Sequence, residues 1–171
     1  EIKHGSYFKS IGLPMEDKLL ASLQGNSYTK VAPILLQSFE TANLRQIRGK
    51  LGSTSNIRLL QLIDAGDDRP ADVALAGGRL TYAQMMTPAG LRDIAGYADA
   101  IGVERRALLP LDAQGQLGTP TPLTSEYSKC MGTSRVDGSG SPPPGPRSIT
   151  SIMLPSPYIS FCSTSMRTLA T

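Results

Sequence analysis

The sequence predicts an α/β chain with parallel strands, and three observations carry that expectation. Two near-continuous apolar runs, Val31 to Phe39 and Ile57 to Ile63, have the character of strands covered on both faces. Met15, Leu19, Leu20 and Leu23 recur at helical spacing before the first run, and Ala42, Leu44 and Ile47 do so between the two. Strand, helix and strand at this spacing form a βαβ unit, and an opening strand with the first helix adds another.

The composition sets outer bounds. A chain of 171 residues that is 40% hydrophobic and 18% charged is long enough to bury a core as one ordinary domain. Its net charge is +3, the Lys and Arg residues are scattered, and aromatics make up 5%, so no basic run or stacking platform points to nucleic acid. No apolar run is long enough to cross a bilayer, so no integral membrane segment is expected. Cys130 and Cys162 lie far apart without a Cys/His cluster, which argues against zinc and leaves two thiols or one disulfide open. The first residue, Glu1, already sits inside a predicted strand, so a fragment or a processed product is expected.

Taken in order, Glu1-Ile2-Lys3 reads as an extended strand with Glu1 and Lys3 on one face and Ile2 on the other, followed by a Gly-containing loop. Two opposite charges on one strand face suit the mouth of a site better than a core. Pro14, Glu16 and Asp17 open a helix that Gly25-Asn26 ends, since proline fits a first turn and acids favour the positive end of the helix dipole. The second helix runs from about Thr41 to Lys50, with Arg45, Arg48 and Lys50 outside. From Asp64 to Met86 the rhythm breaks. This stretch is first acidic (Asp64, Asp67, Asp68, Asp72), then rich in Ala and Gly, and reads as a long strand-to-helix loop with a short helix near 71–76. It is a candidate substrate-contact segment or lid, weighed against a plain acidic surface insertion. Thr87-Pro88 caps and starts the next helix, with Leu91, Ile94, Ala95 and Ala98 on one face, and a short strand follows at about 100–103. A turn at Asp112–Gly118 and a helix start at Thr121-Pro122-Leu123 complete a first region, 1–127. Beyond it, 128–171 is an atypical tail of Ser, Thr, Pro and Gly, centred on Ser139 to Pro146, and repeated prolines favour extended, hydrated chain there.

Four stretches, in order and at matching spacing, resemble the glycerophosphodiester phosphodiesterases. Glu1-Ile2-Lys3-His4 is similar to their EIKHP-type strand, Leu36-Gln37-Ser38-Phe39-Glu40 to their QSF(E/D) strand end, and Leu60-Gln61-Leu62-Ile63-Asp64 to their QLI(D) strand. Thr87 to Gly102 is similar to their PxGLxxIAxYADGIG segment, with Ala100 where the family has Gly. The match covers about residues 1–125 and is closest to the longer, GlpQ-like branch. It implies a partial (β/α)8 TIM-like barrel, about half of the strands, with an irregular C-terminal tail. The helix and strands that the family carries after Tyr127 have no counterpart, which suggests that the reading frame or splicing departs from the family there.

The implied chemistry is metal-dependent hydrolysis of a glycerophosphodiester to an alcohol and glycerol 3-phosphate, with Ca²⁺ or Mg²⁺ as the cation. Glu1 matches the family's metal-binding strand glutamate, and a carboxylate is the hard oxygen donor such ions take. Lys3 matches the strand lysine beside it, whose ammonium can hold phosphate oxygens and stabilise developing charge. His4, the single histidine, is an acid/base candidate by chemistry, but it falls in the loop after the ligand and does not match the family's catalytic pair. Gln37 and Phe39 close the next strand, where alternate residues face a barrel's site, so Gln37 is read as a hydrogen-bond donor and Phe39 as an apolar wall for glycerol. Gln61 and Asp64 are weaker candidates on the following strand. The remaining metal ligands and the histidine pair belong to family segments upstream of Glu1, so the chain alone is expected to be inactive. The alternatives are a non-catalytic partial barrel or interaction module, and another metal-dependent barrel phosphodiesterase acting on phospholipids. Relatives in this branch are often exported, which leans towards a periplasmic or extracellular location.

Overall fold

The computed structural model describes residues 1–52, 55–64 and 66–123, together with the strand backbones 148–153 and 158–164. Its frame is a three-stranded parallel sheet, β1 (Ile34–Ser38), β2 (Ile57–Ile63) and β3 (Ala100–Glu104), with Ile34 opposite Ile57 and Leu60 opposite Ala100. Strand β1 starts later than the apolar run that predicts it. A turn closed by Ala32 N–H donating to the Tyr28 carbonyl precedes Pro33, which has no N–H to donate. On the outer edge of β1, Ile2 makes a single parallel bridge to Ser38. The opening stretch therefore joins the sheet through one residue rather than as a strand.

Alternation along β2 divides the sheet into two faces. Leu59 and Ile63 join Leu36, Ile101 and Val103 in the main core, against Leu44 and Ile47 of α3 (Thr41–Arg48) and Leu91 and Ile94 of α6 (Pro88–Ala95). Leu60 and Leu62 point the other way and cluster with Ala100, Leu35 and Phe39. Helix α2 (Glu16–Gly25) adds buried Leu20 to the main core, with Met15, Leu19 and Leu23 packed around it. In α3 the inward positions are Thr41, Asn43, Leu44 and Ile47, so Asn43 replaces the expected Ala42, which is exposed.

Three departures concern loops. Residues Gly5–Ser10 form a short helix, α1, where a loop was expected, and the chain enters it through His4 in the left-handed region at φ 55°. The 64–86 connection holds α4 (Ala71–Leu75), near the expected position, and also α5 (Tyr82–Met85). A capping box that pairs Thr81 with Gln84 explains the second. After β3 come α7 (Arg105–Leu108) and a turn in which Leu111 pairs with Leu117, and Leu123 is buried before the described residues break off.

In the C-terminal region, β4 (Ser148–Met153) and β5 (Tyr158–Thr164) run antiparallel to each other, and β5 pairs antiparallel with β3, giving the order β1-β2-β3-β5-β4. Both differ from the irregular tail read from the sequence. They lie outside the proline cluster, in segments carrying β-branched and aromatic residues that favour strands. The proline cluster itself, within 124–147, and Cys130 lie outside the described residues.

Polar contacts lock the strands to the helices. Asp99 precedes β3 and accepts the Leu59 N–H at 2.8 Å, while Arg48 of α3 pairs with the same carboxylate and donates to the Tyr97 carbonyl. Between α5 and α6 the backbones approach so closely that a Cβ on Gly90 would stand 2.3 Å from the Gln84 carbonyl oxygen and 2.6 Å from the Met85 Cα. Backbone cannot retreat as a flexible side-chain tip can, so Gly90→Ala is expected to cost about 2–3 kcal/mol. Urea unfolding checks this against Gly49→Ala, where a Cβ would meet only ordinary contacts at 3.6 Å and beyond. Equal midpoints for the two variants would refute the close approach.

Candidate active site

The candidate site begins with the burial of one side chain. Ile2 is 3% exposed in the main core, and its N–H donates to the Gln37 carbonyl at 2.9 Å. With Ile2 held inward, the alternation of an extended chain turns its two neighbours to the other side. Glu1 and Lys3 accordingly lie together there, with Lys3 Nζ 3.8 Å from Glu1 Oε1. Gln37 Nε2 donates to the second Glu1 oxygen at 3.3 Å.

This pair borders a cavity of about 740 Å³, whose lining includes Glu1, Lys3, His4, Phe39, Asp64 and Tyr82. Phe39 follows β1 and Asp64 follows β2, so the cavity opens at the C-terminal ends of the parallel strands. Crevices outside those ends are where open and closed parallel sheets bind ligands. Phe39 meets Tyr82 edge-on at 6.3 Å between ring centres, forming an apolar wall. The 64–86 connection supplies the opposite side with Asp64, Asp67, Asp68 and Arg69, and Glu40 completes an acidic surround.

The sequence-predicted residues fall into three groups. Glu1, Lys3, His4 and Phe39 all line the cavity. His4 is exposed at its rim, at the left-handed turn into α1, and is the single non-glycine with positive φ among the described residues. Gln37 is outside the lining and instead orients Glu1. Gln61 is not a site residue. It is fully buried on the helix side of the sheet, donates to the carbonyls of Ser38 and Phe39, and accepts from the Tyr97 hydroxyl at 2.9 Å. The sheet's alternation places Gln61 with Leu59 and Ile63, away from the cavity.

Glu40 and Tyr82 are cavity residues that the sequence reading passed over. Glu40 had a signal, being the acid at the end of the strand motif, next to Phe39. Tyr82 lies in the 64–86 stretch read as a candidate substrate-contact segment, but its own place depends on how that connection folds back over the strand ends.

For Ca²⁺ or Mg²⁺, the fit is limited to one position. Hard cations of this kind take roughly six oxygen donors or more. Glu1 offers a carboxylate already engaged by Lys3 and Gln37, and no three His, Cys, Asp or Glu side chains converge on one point among the described residues. Glu1 is the one carboxylate at the cavity to which the family pattern gives a metal-binding role.

Burial first, and then the negative charges of Asp64, Asp72, Glu40 and Asp68, together push the Tyr82 hydroxyl up from its ordinary 10.0 to about 12. A tyrosine held neutral above its unfolded value stabilises the fold fully below pH 10. That contribution is lost as pH rises from 10 towards 12, because the unfolded chain releases the proton first. The stability of the wild type is therefore expected to fall through this window, and Tyr82→Phe to flatten the fall. Urea midpoints at pH 9, 10 and 11 measure it, and parallel curves for the two proteins would refute the placement of Tyr82.

No family model matches the chain, and no curated protein matches it.

Proposed function

We propose that this chain is the middle portion of a metal-dependent glycerophosphodiester phosphodiesterase, built as part of a (β/α)8 barrel. The observation that carries this reading is the juxtaposition of Glu1 and Lys3 on one side of the chain, at a cavity formed by the C-terminal ends of parallel strands. Three of the four sequence stretches that resemble the family lie at β1, β2, α6 and β3, and the first touches β1 through the Ile2–Ser38 bridge. The three parallel strands also follow one another in spatial order, as consecutive strands of a barrel do.

Each side chain has a role that fits its chemistry. Lys3 is 68% exposed and can turn its ammonium onto a phosphate oxygen, with Glu1 as a neighbouring anchor that limits its sweep. Glu1 offers one carboxylate oxygen pair to a divalent cation, which would supply further charge neutralisation at the diester. Phe39 and Tyr82 present ring edges and faces against which a glycerol backbone can pack, and the Tyr82 hydroxyl remains a neutral donor at physiological pH. His4 stands at the rim as a polar contact. With a single histidine, the chain has no second imidazole to share acid and base work between the two steps of hydrolysis.

Two outcomes test the reading. Titration of the isotope-labelled chain with glycerophosphocholine in the presence of Ca²⁺ is expected to shift the amide signals of residues 1–4 and 39. Lys3→Ala is expected to weaken that binding by roughly tenfold or more, the worth of one charge-assisted hydrogen bond. Hydrolysis by the purified chain is expected to be negligible with either Ca²⁺ or Mg²⁺. Binding that ignores Lys3, or shifts confined to other surfaces, would overturn the assignment and favour a non-catalytic interaction module. Robust turnover abolished by Glu1→Gln would instead show that the chain is catalytically complete.

A further inference from the structure

The loops around the cavity are joined to one another by two buried carboxylates acting across long sequence separations. Glu40 is 4% exposed and accepts the N–H of Ser6, in the first turn of α1, at 2.7 Å. Asp72 is 9% exposed, and its Oδ2 accepts the N–H of Thr41 at 2.9 Å, the Thr41 hydroxyl at 2.9 Å and the N–H of Ala42 at 2.6 Å. Those three donors open α3. Each acid thus reaches back to the helix of the unit before its own, Glu40 from the end of β1 to α1 and Asp72 from the 64–86 connection to α3.

This is not ordinary capping. Thr81 and Thr87 cap their own helices through amides three residues on, which fixes a local turn only. The residues at the N-cap positions of α1 and α3, His4 and Glu40, make no such local bond. Their helices are completed from outside by two acids, Glu40 at 34 positions from Ser6 and Asp72 at 31 and 30 positions from Thr41 and Ala42. The bonds therefore fix loops relative to one another, and the loops concerned are those carrying His4, Phe39 and the acidic side of the cavity. Helix α4, which holds Asp72, packs on both α1 and α3, as this arrangement requires.

We propose that Asp72 and Glu40 are positioning residues that hand each loop of the cavity rim to the preceding helix, so that the opening is set by a relay of carboxylate-to-amide bonds. Asp72 is the stronger member. Removing its carboxylate strands three buried or half-buried donors at the start of α3 and frees α4 from its neighbour, whereas removing that of Glu40 strands one. An asparagine at position 72 keeps an acceptor oxygen for the same amides, so hydrogen bonding rather than net charge is what holds the loop.

Hydrogen exchange of the full chain, read by peptide mass, tests the relay. Asp72→Ala is expected to speed exchange at residues 41–42 and 66–83 by about tenfold or more, the loss expected when buried donors are left without an acceptor, with 57–63 in β2 unchanged. Asp72→Asn is expected to stay within about threefold of wild type at the same amides. Glu40→Ala is expected to speed only the first turn of α1. Thr41→Val, which removes a single donor and keeps the shape, is expected to loosen 66–83 partially, and it decides the matter if Asp72→Ala does not fold. Acceleration spread equally over β2, an unchanged loop in Asp72→Ala, or an Asn variant as loose as the Ala variant would each overturn the relay. The link to ligand binding rests on the functional reading above: glycerophosphocholine binding should weaken in Asp72→Ala and persist in Asp72→Asn. If the wild type binds no diester, that reading falls, and the exchange pattern alone rules on the relay.

Discussion

The arrangement of the cavity depends on the inward anchoring of Ile2. A buried isoleucine contributes roughly 2 kcal/mol relative to an exposed one, and the Ile2 N–H to Gln37 bond adds a backbone tie to β1. Neither interaction is chemical in the functional sense. Yet the pair fixes which way the flanking residues face, because in extended chain a side chain cannot turn inward without sending its neighbours outward. Glu1 and Lys3 lie side by side at the cavity because the Ile2 side chain between them is committed to the core. Gln37 then restrains the carboxylate from the adjacent strand, so the same two-residue contact supplies both the direction and part of the orientation.

Around that anchor, two groups of acids differ in what they face. Glu40, Asp72 and Asp99 accept backbone N–H groups, and their oxygens complete helix starts or a strand start. Asp67 and Asp68 lie exposed at the cavity. The distinction matters for electrostatics at the site. Acids committed to amides still contribute negative potential, as the raised Tyr82 value shows through Asp72 and Glu40, but they are held in place by hydrogen bonds. The cations at the cavity are Lys3, beside Glu1, and Arg69, within the otherwise acidic 64–86 connection.

The parallel strands β1 to β3 and the helices α3 and α6 were legible because their residues obey local rules, whereas β4 and β5 were not. The run Ile57–Ile63 is apolar except for Arg58 and Gln61 and matches β2 to its ends, and Thr87-Pro88 marks the start of α6 with a side chain that does accept the Gly90 amide. The faces of those elements were less legible. Ala42 looked inward by periodicity, but Asn43 holds that place because Ser38 Oγ accepts its amide at 2.9 Å, a partner that sequence spacing does not reveal. Gln61 looked like a site residue because it lies near a strand end, whereas the alternation set by Leu59 and Ile63 assigns it to the helix side. Helix α1 escaped notice for a related reason. Its first turn is completed by Glu40, 34 residues away from Ser6, and a six-residue helix has little periodicity of its own.

These placements also sort the residues that carry the family resemblance. Gly90 stands where a Cβ would strike backbone, Tyr97 bonds Gln61 across the core, and Asp99 ties β2, β3 and α3 together. Each of these has a sufficient reason in packing, so their pattern speaks to how parallel strands and helices are joined and would serve any chemistry built on that frame. Glu1 and Lys3 have no such reason. Neither is needed to fill the core, and the ion pair they make is partly exposed, where such pairs add little to stability. Side chains that do little for the fold, held side by side at the mouth of a cavity by a neighbour that does much for it, are where a function has to be sought. The proposed chemistry therefore rests on Glu1 and Lys3, presented by a scaffold whose other residues answer to packing.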